Sequence, residues 1–313
     1  MSNKLILRLS NEIGNQMFMY ASAYSISKKL NRKLFIDNET TYLLKKNISR
    51  YGLNNFKITT EIAPNNHKFL GTKGYIKRKI LKKIDIFKTN KNFFTEYKDN
   101  NKLTEYNSEI FTKNFSNTIY LEGYFETQKY FIDIKDEIIN EFNFKDAEKY
   151  KKSPFYTQLN QENSVAICIR QNRFAEVVSK KNNAENLTKS VNFSKEQITY
   201  INKSIKFFKS KINNPIFYLW SNDFSELDNF LFAEKINKVI HSKNIEANID
   251  KRGLDLFLLT QCRNHIVIPS SFNWWGAWLA VNKEKIVLRP SDSHFSNFRL
   301  NNKDFWPVSW IKI

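Results

Sequence analysis

Short apolar, β-branched runs alternate with helix-spaced segments along most of this chain, and that alternation limits the fold more than any other feature. KLILRL (4–9) leads through the turn-like SNEIGNQ into MFMYASAYSISKKL (17–30), where Phe18, Ala21, Tyr24, Ile26 and Leu30 share a broad helical face. KLFID (33–37) follows as a second strand, and TIYLEGYFETQKYF (118–131) reads as a strand, a loop and a helix start. After a polar stretch at 145–163 the pattern restarts. SVAICIR (164–170), PIFYLWSND (215–223), KVIHS (238–242), HIVIPSS (265–271) and KIVLRP (285–290) read as strands. Residues 194–212, FSELDNFLF (224–232), 253–262 and FNWWGAWLAV (272–281) read as the helices between them. Such alternation predicts a doubly wound α/β fold with a parallel sheet and helices on both faces. A length of 313 residues suits two such domains, 1–150 and 151–313.

Composition narrows the function classes. Apolar residues make up 41%, with 27 Phe and 14 Tyr, so a core is affordable and global disorder is not expected. The net charge of +19 attracts phosphates, whether of nucleotides, nucleic acid or an anionic membrane, although a lysine-rich compositional bias also accounts for it. Nucleic-acid motifs are absent and the lysines are spread rather than striped, which argues against a nucleic-acid partner. Cys168 and Cys262 offer neither a disulfide framework nor metal-ligand spacing. The start MSNKLILRLSNEIGN is too polar for a signal peptide, and no run reaches the roughly 18–20 apolar residues of a membrane span. The expected location is cytoplasmic.

In open α/β sheets ligands bind beyond the carboxyl ends of the strands. The loops there are SNEIGNQ, RQNRF, SND and PSSFN, carrying Asn15, Gln16, Arg170, Arg173, Asp223, Ser270 and Ser271. Arg170 can bond a phosphate, and Ser270 and Ser271 lead into a helix whose free N–H groups suit a diphosphate. Asp223 can accept from a guanine edge or a ribose hydroxyl. Each residue also has a structural reading: an ion pair for the arginine, caps for Asp223 and the serines, core for Trp274, Trp275 and Trp278.

Taken in order, these segments resemble bacterial α-1,2-fucosyltransferases, glycosyltransferase family 11. IGNQMFMYASAYSISKKL is similar to their G-G-L-G-N-Q-M-F-Q-Y-A, and SSFNWWGAWLA to their N-S-S-F-S-W-W-G-A-W-L. RYGLNNFKI (50–58), YLEGYFETQKYF (120–131), WSNDF (220–224) and GLDLFLLTQCRNHIVIPSS match between them. The family's H-x-R-R-G-D-Y becomes Cys168 to Phe174, keeping Arg170 alone; its leading glycines become Asn11 and Glu12, and its asparagine before the serines becomes Pro269.

The resemblance implies a GT-B fold of two Rossmann-like domains facing a cleft, with an acceptor-side domain at 1–150 and a GDP-sugar domain at 151–313. It implies inverting transfer of L-fucose from GDP-β-L-fucose to the 2-hydroxyl of an acceptor sugar, without metal or other cofactor. Galactose in an O-antigen or capsule glycan is the default acceptor, and GDP-colitose is the alternative donor. Arg170 and Asn15 carry the catalytic roles on this reading. Arg170, Arg173, Asp223, Ser270, Ser271, Gly14 and Gln16 carry donor binding, with Arg173 replacing the charge that Gln171 lacks. The catalytic base is left open, with Glu12 the weak candidate.

The stretch 68–92 holds nine Lys/Arg against one acid, Asp85. Ile76, Ile80, Ile84 and Phe87 fall on one helical face, expected to pack on the core. The other reading is peripheral docking on the anionic inner face of a membrane, where acceptors are lipid-linked.

Overall fold

The computed structural model describes residues 3–42, 51–96, 105–161, 163–175, 183–225, 227, 232, 235–241, 249–295 and 303–313. The chain divides into two compact units, Met1–Lys145 with Asn301–Pro307, and Asp146–Leu300 with Val308–Ile313. Both are α/β, and every strand pairing among the described residues is parallel. Two Rossmann-like units in one chain give the expected GT-B class.

The first unit holds β1 (Lys4–Arg8), α1 (Ile13–Lys29), β2 (Lys33–Asp37), β3 (Glu61–Ile62), α2 (Gly71–Asp85), β4 (Lys91–Thr95), β5 (Phe115–Glu122) and α3 (Lys135–Glu141). Its strand order is β3-β2-β1-β5-β4, so the last strand lies beside the first. The sequence reading missed β3 and β4. α1 is buried on nearly every side from Ile13 to Ser27, a broader burial than one apolar face would need.

The second unit holds α4 (Ala147–Tyr150), α5 (Phe155–Leu159), β6 (Ser164–Ile169), α6 (Ala184–Lys211), β7 (Ile216–Ser221), β8 (Ile236–Lys238), α7 (Lys251–Gln261), β9 (Asn264–Ile266), α8 (Ser271–Trp278), β10 (Val287–Arg289) and β11 (Ile311–Lys312). The order β11-β10-β9-β6-β7-β8 is the doubly wound one, with β6 as its first strand. All six residues of β6 are buried, as a central parallel strand covered on both faces requires. Val165, Ile167 and Ile169 meet Tyr200, Ile201, Ile205 and Phe208 of α6 and Phe217 and Leu219 of β7 in one core. α6 begins earlier than its apolar pattern, because the Asn183 side chain accepts from Asn186 N–H at 3.1 Å and caps it. β8 lies ahead of the expected 238–242, whose last residue, like most of the expected helix 224–232, is outside the described residues.

The helix expected over the basic stretch exists as α2, but it is turned the other way. Ile76, Ile80 and Ile84 are about half exposed and Phe87 is 89% exposed, so they do not pack on the core. The polar side faces inward instead. Arg78 Nε donates to Glu122 Oε1 at 2.6 Å, and Lys82 Nζ to Glu122 Oε2 at 2.8 Å. Arg8 Nε completes the cluster at 3.2 Å. Burial alone would raise the Glu122 carboxyl, yet these three cations hold it down at about 2. An anchored carboxylate at the end of β5 thus outweighs the apolar stripe in orienting α2.

His265 in β9 is fully buried. Burial, with the Lys285 charge adding to it, lowers its pKa from 6.5 to about 3. The unfolded chain binds this proton at a higher pH than the fold does. The contribution is therefore intact above about pH 6.5 and lost as pH falls from there towards 3, at up to about 1.4 kcal/mol per pH unit. Urea melts across that range should show a shallower slope for His265→Gln than for the native chain; an equal slope would assign the acid sensitivity elsewhere.

Candidate functional site

In the second unit three adjacent strands, β6, β7 and β9, deliver their loops to one edge. Side-chain amides lock those loops together. Gln197 of α6, fully buried, accepts from Arg170 N–H and donates to Arg170 C=O, both at 2.9 Å. Asn222 treats Gln171 the same way, accepting from its N–H at 2.8 Å and donating to its C=O at 3.1 Å. The Gln171 side chain donates to Asp223 C=O at 2.7 Å. An amide can satisfy both polar groups of one residue without burying charge, which suits a loop that must be rigid.

Arg173 ties in the third loop. Its Nη1 donates to Pro269 C=O at 3.4 Å, and its guanidinium lies 5.4 Å from the centroid of the Phe193 ring. Asn172 takes a left-handed φ of 54°, which asparagine tolerates better than most residues. Arg170, Arg173, Asp223, Ser270 and Ser271 therefore share the carboxyl edge of one sheet. The Asp223 carboxyl is held below its ordinary value by bonds from Ser225 N–H at 2.9 Å and Ser225 Oγ at 2.7 Å.

Ser270 is the N-cap residue of α8 but its side chain makes no capping bond, so the cap reading does not account for that hydroxyl. Ser271 opens the helix. Trp274 and Trp275 are fully buried, with ring centroids 4.9 Å apart, and Trp278 stacks on Trp274 at 5.9 Å. At the other end Lys285 Nζ donates to Trp278 C=O at 3.1 Å and Ala280 C=O at 2.9 Å, satisfying terminal carbonyls. The tryptophans are core, and they hold the serine-bearing turn in place.

Gly14, Asn15 and Gln16 lie in the first turn of α1, at the carboxyl end of β1 in the first unit. Gln16 is fully buried and heavily engaged by the fold. It donates to Asn11 C=O at 2.8 Å and Tyr42 Oη at 2.9 Å, and accepts from Gly52 N–H at 2.8 Å. Asn11 has φ 59°, a left-handed position where asparagine can replace glycine; Glu12 at φ −87° has no such need. Asn15 Nδ2 donates to Glu126 Oε1 at 2.6 Å. Glu126 belongs to the loop after β5, whose neighbour Phe125 is held at φ 53°, a rare conformation for an aromatic residue. The buried Glu96 clamps that loop, accepting from Phe125 N–H at 2.6 Å, Tyr124 N–H at 3.0 Å and Tyr130 Oη at 3.0 Å. Burial raises the Glu96 carboxyl to about 8 despite those donors.

Sequence reasoning missed Gln197, Glu96 and Glu126. Gln197 did leave a signal: it is a polar residue inside the apolar stripe Phe193, Tyr200, Ile201, Ile205 and Phe208. Glu126 sat inside a quoted motif, in the loop after a strand. Glu96 follows a strand that the pattern did not show.

Paired doubly wound units, one gathering cationic side chains and a helix N-terminus at the carboxyl ends of three strands, fit the class of two-domain α/β glycosyltransferases. Residues 2–313 match the sequence model of Glycosyl transferase family 11, and the chain belongs to that family. It is 26% identical to an Alpha-1,2-colitosyltransferase of Escherichia coli, covering 99% of this chain and 98% of the relative. It is 24% identical to the O-antigen biosynthesis glycosyltransferase WbnK of Escherichia coli, covering 97% and 99%. Its fold is similar to that of the fucosyltransferase NodZ from Bradyrhizobium, with a TM-score of 0.52 at 15% identity over 88% of this chain and 92% of that one. The chain is accordingly an enzyme, a glycosyltransferase.

Gly276 shows how tightly the serine turn is supported. A Cβ there would fall 2.1 Å from Leu259 Cδ2 of α7, a fully buried side chain. Alanine is worth about 1 kcal/mol over glycine in a helix interior, whereas overpacking costs about 1–3 kcal/mol. Gly276→Ala should lower Tm by a few degrees in a thermal melt, and its cost should shrink when it is measured in a Leu259→Ala background, where the clashing side chain is gone.

Proposed function

We propose that this enzyme transfers L-fucose from GDP-β-L-fucose to the 2-hydroxyl of an acceptor sugar, galactose in a bacterial surface glycan, with inversion. The single observation that carries the donor side is the pinned Arg170, set beside Arg173 and the Ser270–Ser271 turn at one sheet edge. Family membership and relatives named for α-1,2-colitosyl transfer and O-antigen biosynthesis support the reaction class.

On this reading Arg170 and Arg173, the serine hydroxyls and the opening N–H groups of α8 bind the diphosphate, and Asp223 takes the guanosine. The bond between the anomeric carbon and the phosphate oxygen breaks, and its electron pair leaves with GDP. Arg170 stabilises the charge that develops there. These groups supply the positive charge that a divalent ion would otherwise bring, so the reaction runs without metal or other cofactor. The acceptor oxygen bonds to the anomeric carbon and gives up its proton. Glu126, oriented by Asn15, is the base that takes it, and Glu96 is a positioning residue for that loop. Gln16 and Gly14 shape the turn rather than touch the donor. The enzyme works on the cytoplasmic face of a membrane, on a lipid-linked oligosaccharide. Among the described residues no helix is long and apolar enough to cross a membrane, and the proposed contact is peripheral.

The second reading is transfer of colitose, which lacks the 3-hydroxyl of fucose. The 26% identical colitosyltransferase and the altered segment Arg170 to Phe174 favour it. A site that bonds a substrate hydroxyl strongly rejects the analogue lacking it, so the two donors should separate cleanly.

Turnover of GDP-fucose, GDP-colitose and GDP-mannose with a galactoside acceptor, in chelator, tests the proposal. The expected outcome is selective use of GDP-fucose without added metal, and a fall in kcat of about 10²–10³ for Arg170→Ala. Preference for GDP-colitose would establish the second reading, and activity restored only by a divalent ion would remove the metal-free mechanism. Glu126→Gln should lower transfer by about 10²-fold or more while leaving the donor KM near the native value. Loss of donor binding instead would make Glu126 structural.

A further inference from the structure

α2 carries its amphipathic pattern inside out. Surface helices ordinarily bury the apolar stripe and expose the charges. Here Arg78 and Lys82 reach inward to Glu122, and Asp85, also inward, accepts from Asn92 N–H at 2.7 Å and Phe93 N–H at 3.0 Å. Gly74 leaves room for the chain entering the helix, since a Cβ there would meet the backbone carbonyl carbon of Phe69 at 2.3 Å. The opposite side presents Ile76, Ile80 and Ile84, spaced four apart, and continues into Ile86 and Phe87 at 68% and 89% exposure. Isolated exposed apolar residues are ordinary, but a contiguous stripe of five marks an interaction surface.

Charge identifies the partner. At 100° per residue, exposed Lys79 and Lys83 run along one border of the stripe, and exposed Lys73 and Lys77 along the other. The only carboxylate between 68 and 92 is Asp85, which is buried against the sheet. The outer face is therefore apolar along its centre, cationic on both borders and free of acid. A second copy of the chain would set these lysine rows against identical ones, so self-association by this face is opposed. An anionic lipid surface satisfies both features, with headgroups meeting the lysines and the Ile–Phe stripe entering the acyl boundary.

We propose that the outer face of α2, extended through Phe87, docks the enzyme on an anionic bilayer. This names the membrane surface in the function proposed above but rests on α2 alone. Turnover with a free, soluble acceptor reports on the transferase reading separately.

The test is flotation of the full chain with vesicles of phosphatidylglycerol and phosphatidylcholine, against vesicles of phosphatidylcholine alone. Two variants are compared, Ile76→Ser/Ile80→Ser/Phe87→Ser and Lys77→Gln/Lys79→Gln/Lys83→Gln. All six positions are exposed, so both should fold, with far-ultraviolet circular dichroism and soluble-acceptor turnover unchanged. The native chain is expected to bind anionic vesicles at least tenfold better than neutral ones, and each variant to lose at least tenfold. Equal binding to both vesicles, no binding to either, or native binding by the apolar variant overturns the proposal. A native dimer that the apolar variant converts to monomer, with no vesicle binding, would make a second copy the occupant instead.

Discussion

A parallel strand covered on both faces has no free side on which to do chemistry. β6 is buried at all six positions, so whatever the second unit binds must be met by the residues that follow its last strand position. In the first unit β1 is buried at its three central positions, with its ends Lys4 and Arg8 only partly buried. Function is displaced onto loops, and loops at the end of a rigid sheet are useful only if they are equally rigid. Much of the neutral side-chain bonding described above answers that need.

The two units solve the problem alike. Gln197 and Asn222 close both backbone groups of Arg170 and Gln171, and Gln16 ties Asn11, Tyr42 and Gly52 together around the start of α1. Amides are the economical choice because they carry donor and acceptor together and no net charge. Buried carboxylates appear where a stronger hold is needed, and their environments drive them apart. Glu122, among three cations, stays ionised with a pKa of about 2. Glu96, at the end of the neighbouring strand, is surrounded by neutral donors and buried, and is raised to about 8. The first anchors a helix by charge, and the second clamps a strained loop by hydrogen bonds.

β6, β7, β9 and β10 of the second unit were legible because buried parallel strands read as plain apolar runs. β3 and β4 were not, since each carries polar or half-exposed positions that break the run. Neither was β11, a two-residue exposed edge. The periodicity of α2 identified a helix correctly but gave the wrong side of it. Amphipathic patterns report that two faces differ, and only tertiary context says which one is inside; Glu122, distant in sequence, supplied that context. The placement of Arg170, Arg173, Asp223, Ser270 and Ser271 at strand ends was legible for the same topological reason as the strands. Gln197 and Glu96 were not, because they act on backbone groups of loops that only the fold brings to them.

Two departures from the family pattern, Arg173 and Pro269, turn out to touch. Considered separately, one is an added charge and the other a lost asparagine side chain and a lost backbone N–H. In the fold, the Arg173 guanidinium bonds the Pro269 carbonyl and packs on Phe193, so the arginine is held against the turn that opens α8. Proline fixes the backbone that an asparagine side chain could otherwise brace, and the arginine returns a cationic donor to the same place. The two departures thus fall at one point of the fold, where Pro269 stiffens the turn before the serines and Arg173 bonds its carbonyl. Gln171, buried and donating to Asp223 C=O, holds the same loop from its other side.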